Sequence, residues 1–217
     1  KFDKCLWNEY ANSYSSKILD ELFESDSYFT ETFNDLMDST FESLVQYEQE
    51  DGCCPSPIQL VNSFFNIFKA VISEMSFDIE DPNGMFLRIF VFSVIWGFGG
   101  HFEAEKRLAF SSFVRDIFVS KVQLPPRGSL FDFFVENKQG NWENWSNVVL
   151  DFATVADDEF EVQPFDIKPH NILVPTIETT RINYLIELFI KNNQHILLTG
   201  PRGSGKSLIS DAVIRKL

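Results

Sequence analysis

The chain has 217 residues, 44% of them apolar and 15% aromatic with 24 Phe, and a net charge of −14. That much apolar material excludes a disordered chain and supplies one or two cores. The charge is uneven: residues 1–85 carry 17 Asp and Glu against 4 Lys and Arg, a net of −13, whereas residues 86–217 are near balance. An acidic first third repels nucleic acid and anionic membrane, so neither is an expected partner. Its simplest reading is the solvated face of helices. Cys5, Cys53 and Cys54 form no C-x-x-C pair, and adjacent cysteines rarely meet disulfide geometry, so reduced intracellular thiols are expected. His101, His170 and His195 stand singly, which argues against a zinc site.

Leu6, Tyr10, Tyr14, Ile18 and Leu22 recur at four-residue spacing and predict an amphipathic helix over 6–24. Phe29, Phe33, Leu36, Met37, Phe41, Leu44 and Val45 predict a second over 28–49. The run from Asp51 to Pro57, with two prolines and a glycine, is a loop. Val61, Phe64, Phe65, Phe68, Val71, Ile72 and Met75 mark a third helix. A fourth starts with Asp81 as cap and Pro82 at the first position. From Met85 to Phe98 it is apolar all round, yet shorter than the roughly 20 residues a bilayer requires. It is therefore expected in the centre of a domain, ending at Gly97, Gly99 and Gly100 through a left-handed cap. Leu108, Phe110, Phe113, Val114 and Ile117 predict a fifth helix over 103–118. Five helices with short connections imply a bundle over 1–120, in which no catalytic constellation is visible.

The character changes at Leu124-Pro125-Pro126-Arg127-Gly128. Leu130 to Val135 is aromatic and β-branched and predicts a strand; Asn137 to Asn141 is a turn, and Trp142 and Trp145 are expected to pack against a neighbouring module. Ala156 to Pro169, with five acidic residues and two prolines, reads as a linker. Asn171 to Thr176 is a short extended segment, because Pro175 drives Val174 away from helical geometry. Thr176 then caps a helix running to about Ile190, with Glu178 in its first turn and Ile182, Leu185, Ile186 and Phe189 on its apolar face.

The most specific feature comes last. Gly200-Pro201-Arg202-Gly203-Ser204-Gly205-Lys206-Ser207 reads G-x-x-x-x-G-K-S, between an apolar segment of strand type (His195 to Thr199) and a helix with Leu208, Ile209, Ala212, Val213 and Leu217 on one stripe. A glycine-rich turn in that setting aims backbone N–H groups inward, where they can cradle phosphate oxygens. Lys206 is expected to reach the β- and γ-phosphates of ATP or ADP, and Ser207 to hold Mg²⁺. A complete ATPase site also needs further strands, a metal-binding acid and a group that orients water. Ten residues after Ser207 cannot supply these, so the chain is expected to be a piece of something larger, with no complete catalytic site of its own.

Ile172-Leu173-Val174-Pro175-Thr176, Thr180-Arg181 and the run from Leu197 to Ser207 resemble the start of the third AAA+ module of a dynein heavy chain. Phe92-Ser93-Val94-Ile95-Trp96-Gly97-Phe98-Gly99-Gly100, followed by Arg107 and Phe110, resembles the end of the second, and Trp142 and Trp145 fall where the family often has paired tryptophans. Leu173-Val174-Pro175-Thr176, with Ser207 rather than threonine after the lysine, resembles ciliary rather than cytoplasmic members, although Pro201-Arg202-Gly203-Ser204 departs from their threonine-rich loop. The resemblance implies an α-rich α/β architecture: a helical lid subdomain over 1–120, a β-containing connector and acidic linker over 121–168, and the beginning of a P-loop domain over 169–217. It implies a ring of AAA+ modules driving movement along microtubules, in company with other dynein subunits and placed in the axoneme of a cilium. It further implies that Val174 and Pro175 pack on adenine, and that Arg107 is either a nucleotide-sensing arginine or an ordinary surface one. Two other readings remain open: a ring spacer whose nucleotide never turns over, and a segment of another giant AAA+ ring.

Overall fold

A computed structural model describes residues 13, 31–37, 43, 44, 47, 55–75, 80–149 and 173–216. The helix expected over 6–24 and the acidic linker fall outside them, apart from Ser13, which is helical. Residues 31–37 are helical, as the second pattern predicts. The chain divides into two compact units, residues 1–131 with 135–142, and residues 132–134 with 143–217.

In the first unit, helix α1 (Pro57–Ser73) opens on a capping box: Ser56 Oγ accepts from Gln59 N–H and Gln59 Oε1 accepts from Ser56 N–H. Helix α2 (Pro82–Gly99) starts as the sequence predicts, with Asp81 Oδ1 accepting from Gly84 N–H at 2.9 Å. The other Asp81 oxygen pairs with the buried Arg88 guanidinium at 2.9 Å, which satisfies a charge that the apolar helix would otherwise strand. By length and composition α2 could cross a membrane, but 78% of it is buried inside the protein. It is the helix around which this unit is built.

Its packing is aromatic. Phe33 lies 5.3 Å from Phe68 and 5.5 Å from Phe90, and Phe64 meets Phe90 edge-on at 5.2 Å. Each such ring taken out of water contributes about 1.5–3 kcal/mol. The glycines at the end of α2 differ from expectation. Gly100 is right-handed with φ −61°, so no left-handed cap forms. Gly97 instead allows close helix approach, since a Cβ there would lie 2.7 Å from the Phe64 Cα.

Helix α3 (Ala104–Phe118) buries Phe110, Val114 and Phe118, while Leu108 of the predicted stripe is exposed. Its polar side chains organise the segment after it. Ser111 Oγ accepts from Leu130 N–H at 2.8 Å in a buried site. Arg115 donates to the carbonyls of Pro125 and Gly128, and burial lowers its pKa from the ordinary value.

The strand expected from Leu130 is shorter than its composition suggests. Leu130–Asp132 is a 3-10 turn, and only Phe133–Val135 (β1) pairs, with Trp142–Asn144 (β2). Gly140, at φ 68°, closes the connecting turn, which is held by Glu136 N–H to Asn141 O and Gly140 N–H to Glu136 O, both 2.9 Å. Ser111 and Arg115, distant in sequence, thus tie down the segment that leads into the 3-10 turn before β1. The Trp142 indole donates to Gln123 O at 2.9 Å.

In the second unit, Trp145 is 1% exposed and stacks on Phe134 at 4.4 Å, with Tyr184 edge-on at 5.2 Å. Tyr184 belongs to helix α4 (Ile177–Lys191). Thr176 caps α4 as predicted, and Thr179 completes a reciprocal box by accepting from Thr176 N–H at 2.7 Å. The helix ends through Asn193, which is left-handed at φ 54°, and Gln194, whose N–H reaches Phe189 O at 2.8 Å. Helix α5 (Lys206–Lys216) packs on α4 through a cluster of Ile186, Ile209 and Val213, joined by Leu173, Ile182, Ile190 and Leu198.

Candidate functional site

The glycine-rich turn occupies residues 200–205 and delivers the chain into α5. Three of its glycines take positive φ: Gly200 at 153°, Gly203 at 78° and Gly205 at 79°. Side chains strain that backbone, which explains the two glycines that the motif requires, Gly200 and Gly205, and a third at position 203. A Cβ at Gly203 or Gly205 would meet nothing within 4 Å, so conformation and not crowding selects glycine there.

The Lys206 ammonium folds back over the turn. Its Nζ donates to Gly200 O at 2.9 Å, Pro201 O at 2.6 Å and Ser204 Oγ at 3.0 Å. Ser204 Oγ in turn donates to Pro201 O at 2.9 Å. The first rung of the following helix is Ile209 N–H to Gly205 O at 2.9 Å, so the amides of Lys206, Ser207 and Leu208 precede the ladder. With the partial positive charge of a helix N-terminus, these amides suit an anion.

The expected site residues separate into three groups. Gly200, Pro201, Ser204 and Lys206 are drawn together by the lysine's contacts. Arg202, Gly203 and Ser207 are exposed along the same turn, Ser207 in the first turn of α5. Val174 is 55% exposed and Pro175 partly so; their neighbour Leu173 packs on the α4–α5 cluster, and Val174 O accepts from Thr179 Oγ1 at 3.2 Å. The residues present fit a nucleotide with Mg²⁺: a flexible cation, a run of amides before the helical ladder, and an exposed hydroxyl directly after the lysine.

The strand expected before the turn is not formed as a ladder. Residues 194–200 have no strand partner among the described residues, and Leu197 is 85% exposed. The physical reason is that a strand exists only with a neighbour to bond, whereas an apolar run signals burial without naming what covers it.

Arg107 lies in the first unit. Its guanidinium sits 5.7 Å from the Trp96 ring and 5.4 Å from that of Phe131, and Nη2 donates to Gly100 O at 3.3 Å. It is half-buried between aromatic faces rather than an ordinary solvated arginine. Sequence reading missed two other polar contacts. Arg181, buried on α4, has Nη2 3.2 Å from Glu178 Oε1 and 3.9 Å from Asp132 Oδ1. The i,i+3 spacing could have revealed the first; nothing local announces the second. Neither does any pattern mark the Ser204–Lys206 contact, since the motif leaves position 204 unspecified.

Comparison with known proteins identifies the family. Residues 26–147 match the dynein heavy chain AAA lid domain, and residues 160–217 the P-loop containing dynein motor region. Human dynein axonemal heavy chain 3 is 25% identical over 240 aligned residues, covering 94% of this chain and 6% of the relative. Human dynein axonemal heavy chain 8 is 31% identical over 134 residues, 59% of this chain and 3% of the relative. The dynein-1-beta heavy chain of the flagellar inner arm I1 complex from Chlamydomonas reinhardtii is 32% identical over 128 residues, again 59% of this chain and 3% of the relative. The chain thus spans only a few per cent of the length of these relatives. A lid match covering more than half of the residues, followed by a P-loop match over the turn, shows that this chain belongs to the dynein heavy chain family.

Proposed function

We propose that the chain is the segment of a dynein heavy chain motor ring that carries the end of one AAA+ module and the phosphate loop of the next, and that this loop binds ATP or ADP with Mg²⁺. Residues 1–120 then serve as the lid of the first module, 121–168 as connector, and 169–217 as the start of the second. The observation that carries the reading is the turn itself, with left-handed Gly203 and Gly205 and the Lys206 ammonium brought over it. The amides of Lys206, Ser207 and Leu208 would cradle the phosphates, Lys206 would neutralise the β- and γ-groups, Ser207 would hold the ion, and Val174 and Pro175 would cover the base. Mg²⁺, when bound, would be held through Ser207 and would offset the charge of the phosphates.

In the whole heavy chain this site works with the remaining AAA+ modules, with the other dynein subunits, and with a microtubule reached through the stalk. The axonemal and flagellar names of the relatives support placement in a cilium. The test uses the full heavy chain. Photolabelling with 8-azido-ADP, mapped to peptides from 173–216, is expected to fall at least tenfold in Lys206→Ala, because charge-assisted bonds to phosphate are lost. Microtubule gliding is expected to slow in parallel. Undiminished labelling of those peptides would sink the proposal.

A further inference from the structure

Lys206 has three N–H donors and three acceptors, and the third acceptor is a side chain. Gly200 O and Pro201 O are main-chain groups that no substitution removes, whereas Ser204 Oγ is 3.0 Å from Nζ and can be deleted. The Ser204 hydroxyl gives its own proton to Pro201 O at 2.9 Å. Its lone pairs are therefore left to the ammonium, and Lys206, Ser204 and Pro201 close a ring of hydrogen bonds. Any phosphate oxygen that takes an N–H from Lys206 takes it from one of these three partners.

We infer that Ser204 tunes the affinity of the loop for a nucleoside polyphosphate by holding the Lys206 ammonium against the turn. The inference rests on the nucleotide reading above and deepens it. Ser204 is exposed, so its hydroxyl is not there to satisfy a buried group. It stands where the G-x-x-x-x-G-K-S pattern makes no demand, so its chemistry is free to vary without loss of the loop. Ser204→Ala leaves Lys206 with two loop acceptors and one donor ready for phosphate. Transfer of the ammonium to nucleotide then sacrifices one hydrogen bond fewer.

The experiment titrates 8-azido-ADP labelling of the 173–216 peptides in the full heavy chain, comparing the parent with Ser204→Ala, Ser204→Thr and Lys206→Ala. Labelling of peptides from other modules in the same molecules reports that each variant is folded. Half-saturation is expected to fall about fivefold in Ser204→Ala, the worth of one net hydrogen bond, and to return to the parent level in Ser204→Thr, which keeps a hydroxyl. Unchanged or weaker labelling in Ser204→Ala, with Lys206→Ala still defective, overturns the inference and leaves the nucleotide site standing. Full labelling in Lys206→Ala instead removes the site and the inference together.

Discussion

Phe90 and Leu197 are both large apolar residues in strongly apolar runs, yet Phe90 is 0% exposed and Leu197 is 85% exposed. The difference separates the two units. In the helical unit α2 is buried along most of its length by rings from α1, α3 and residues 31–37, although Ile58, Leu108 and Val119 at the unit's margin are exposed. In the P-loop unit the buried groups among the described residues are smaller, Trp145 on Phe134 and the cluster of Ile186, Ile209 and Val213, while Val174, Leu197 and Ile214 face outward. The loop there is held by polar contacts to one lysine and by glycine conformation, not by packing. A helical module and a glycine-rich loop are thus stabilised by different physics in one chain. The first relies on dispersion and dehydration, the second on local hydrogen bonds within the turn.

Three substitutions in the full heavy chain probe that contrast, each read by amide hydrogen exchange of the surrounding peptides. Phe90→Ala removes a ring in contact with Phe33, Phe64, Phe68 and Phe118, and should cost about 3–5 kcal/mol of local stability, with faster exchange across 57–118. A change confined to one turn of α2 would mean that the aromatic core is not cooperative. Gly97→Ala comes next. Alanine ordinarily favours a helix by about 1 kcal/mol over glycine, but here the new methyl meets Phe64 main chain at 2.7 Å. Overpacking should win, with a net cost of about 1–3 kcal/mol; slower exchange in α1 and α2 would show that the helices have room. The smallest effect is expected for Leu197→Ala, below about 0.5 kcal/mol for so exposed a side chain. A cost above roughly 2 kcal/mol would reveal that another part of the heavy chain covers Leu197.

Much of both units is legible along the chain because the signals are local. Asp81-Pro82 names the start of α2, Thr176 the start of α4, and the glycine spacing with Lys206 the phosphate loop. Each rests on interactions within a few residues, so order alone conveys them. Errors arose where the partner is remote. Gly97 looked like punctuation, but it is glycine because Phe64 of another helix approaches it. Leu130–Asp132 has strand composition, but Ser111 receives its N–H and a 3-10 turn results. The run before Gly200 has strand hydropathy without a ladder.

What the order of residues determined by itself was therefore helices α1 to α5, the N-terminal caps of α2 and α4, and the glycine spacing of the turn at 200–207, since these depend on backbone propensity and near neighbours. Tertiary structure alone decided which glycine permits contact, that Arg107 lies between Trp96 and Phe131, and that Ser111 receives the Leu130 N–H. Those outcomes depend on distances across folded backbone, which no spacing along the chain encodes.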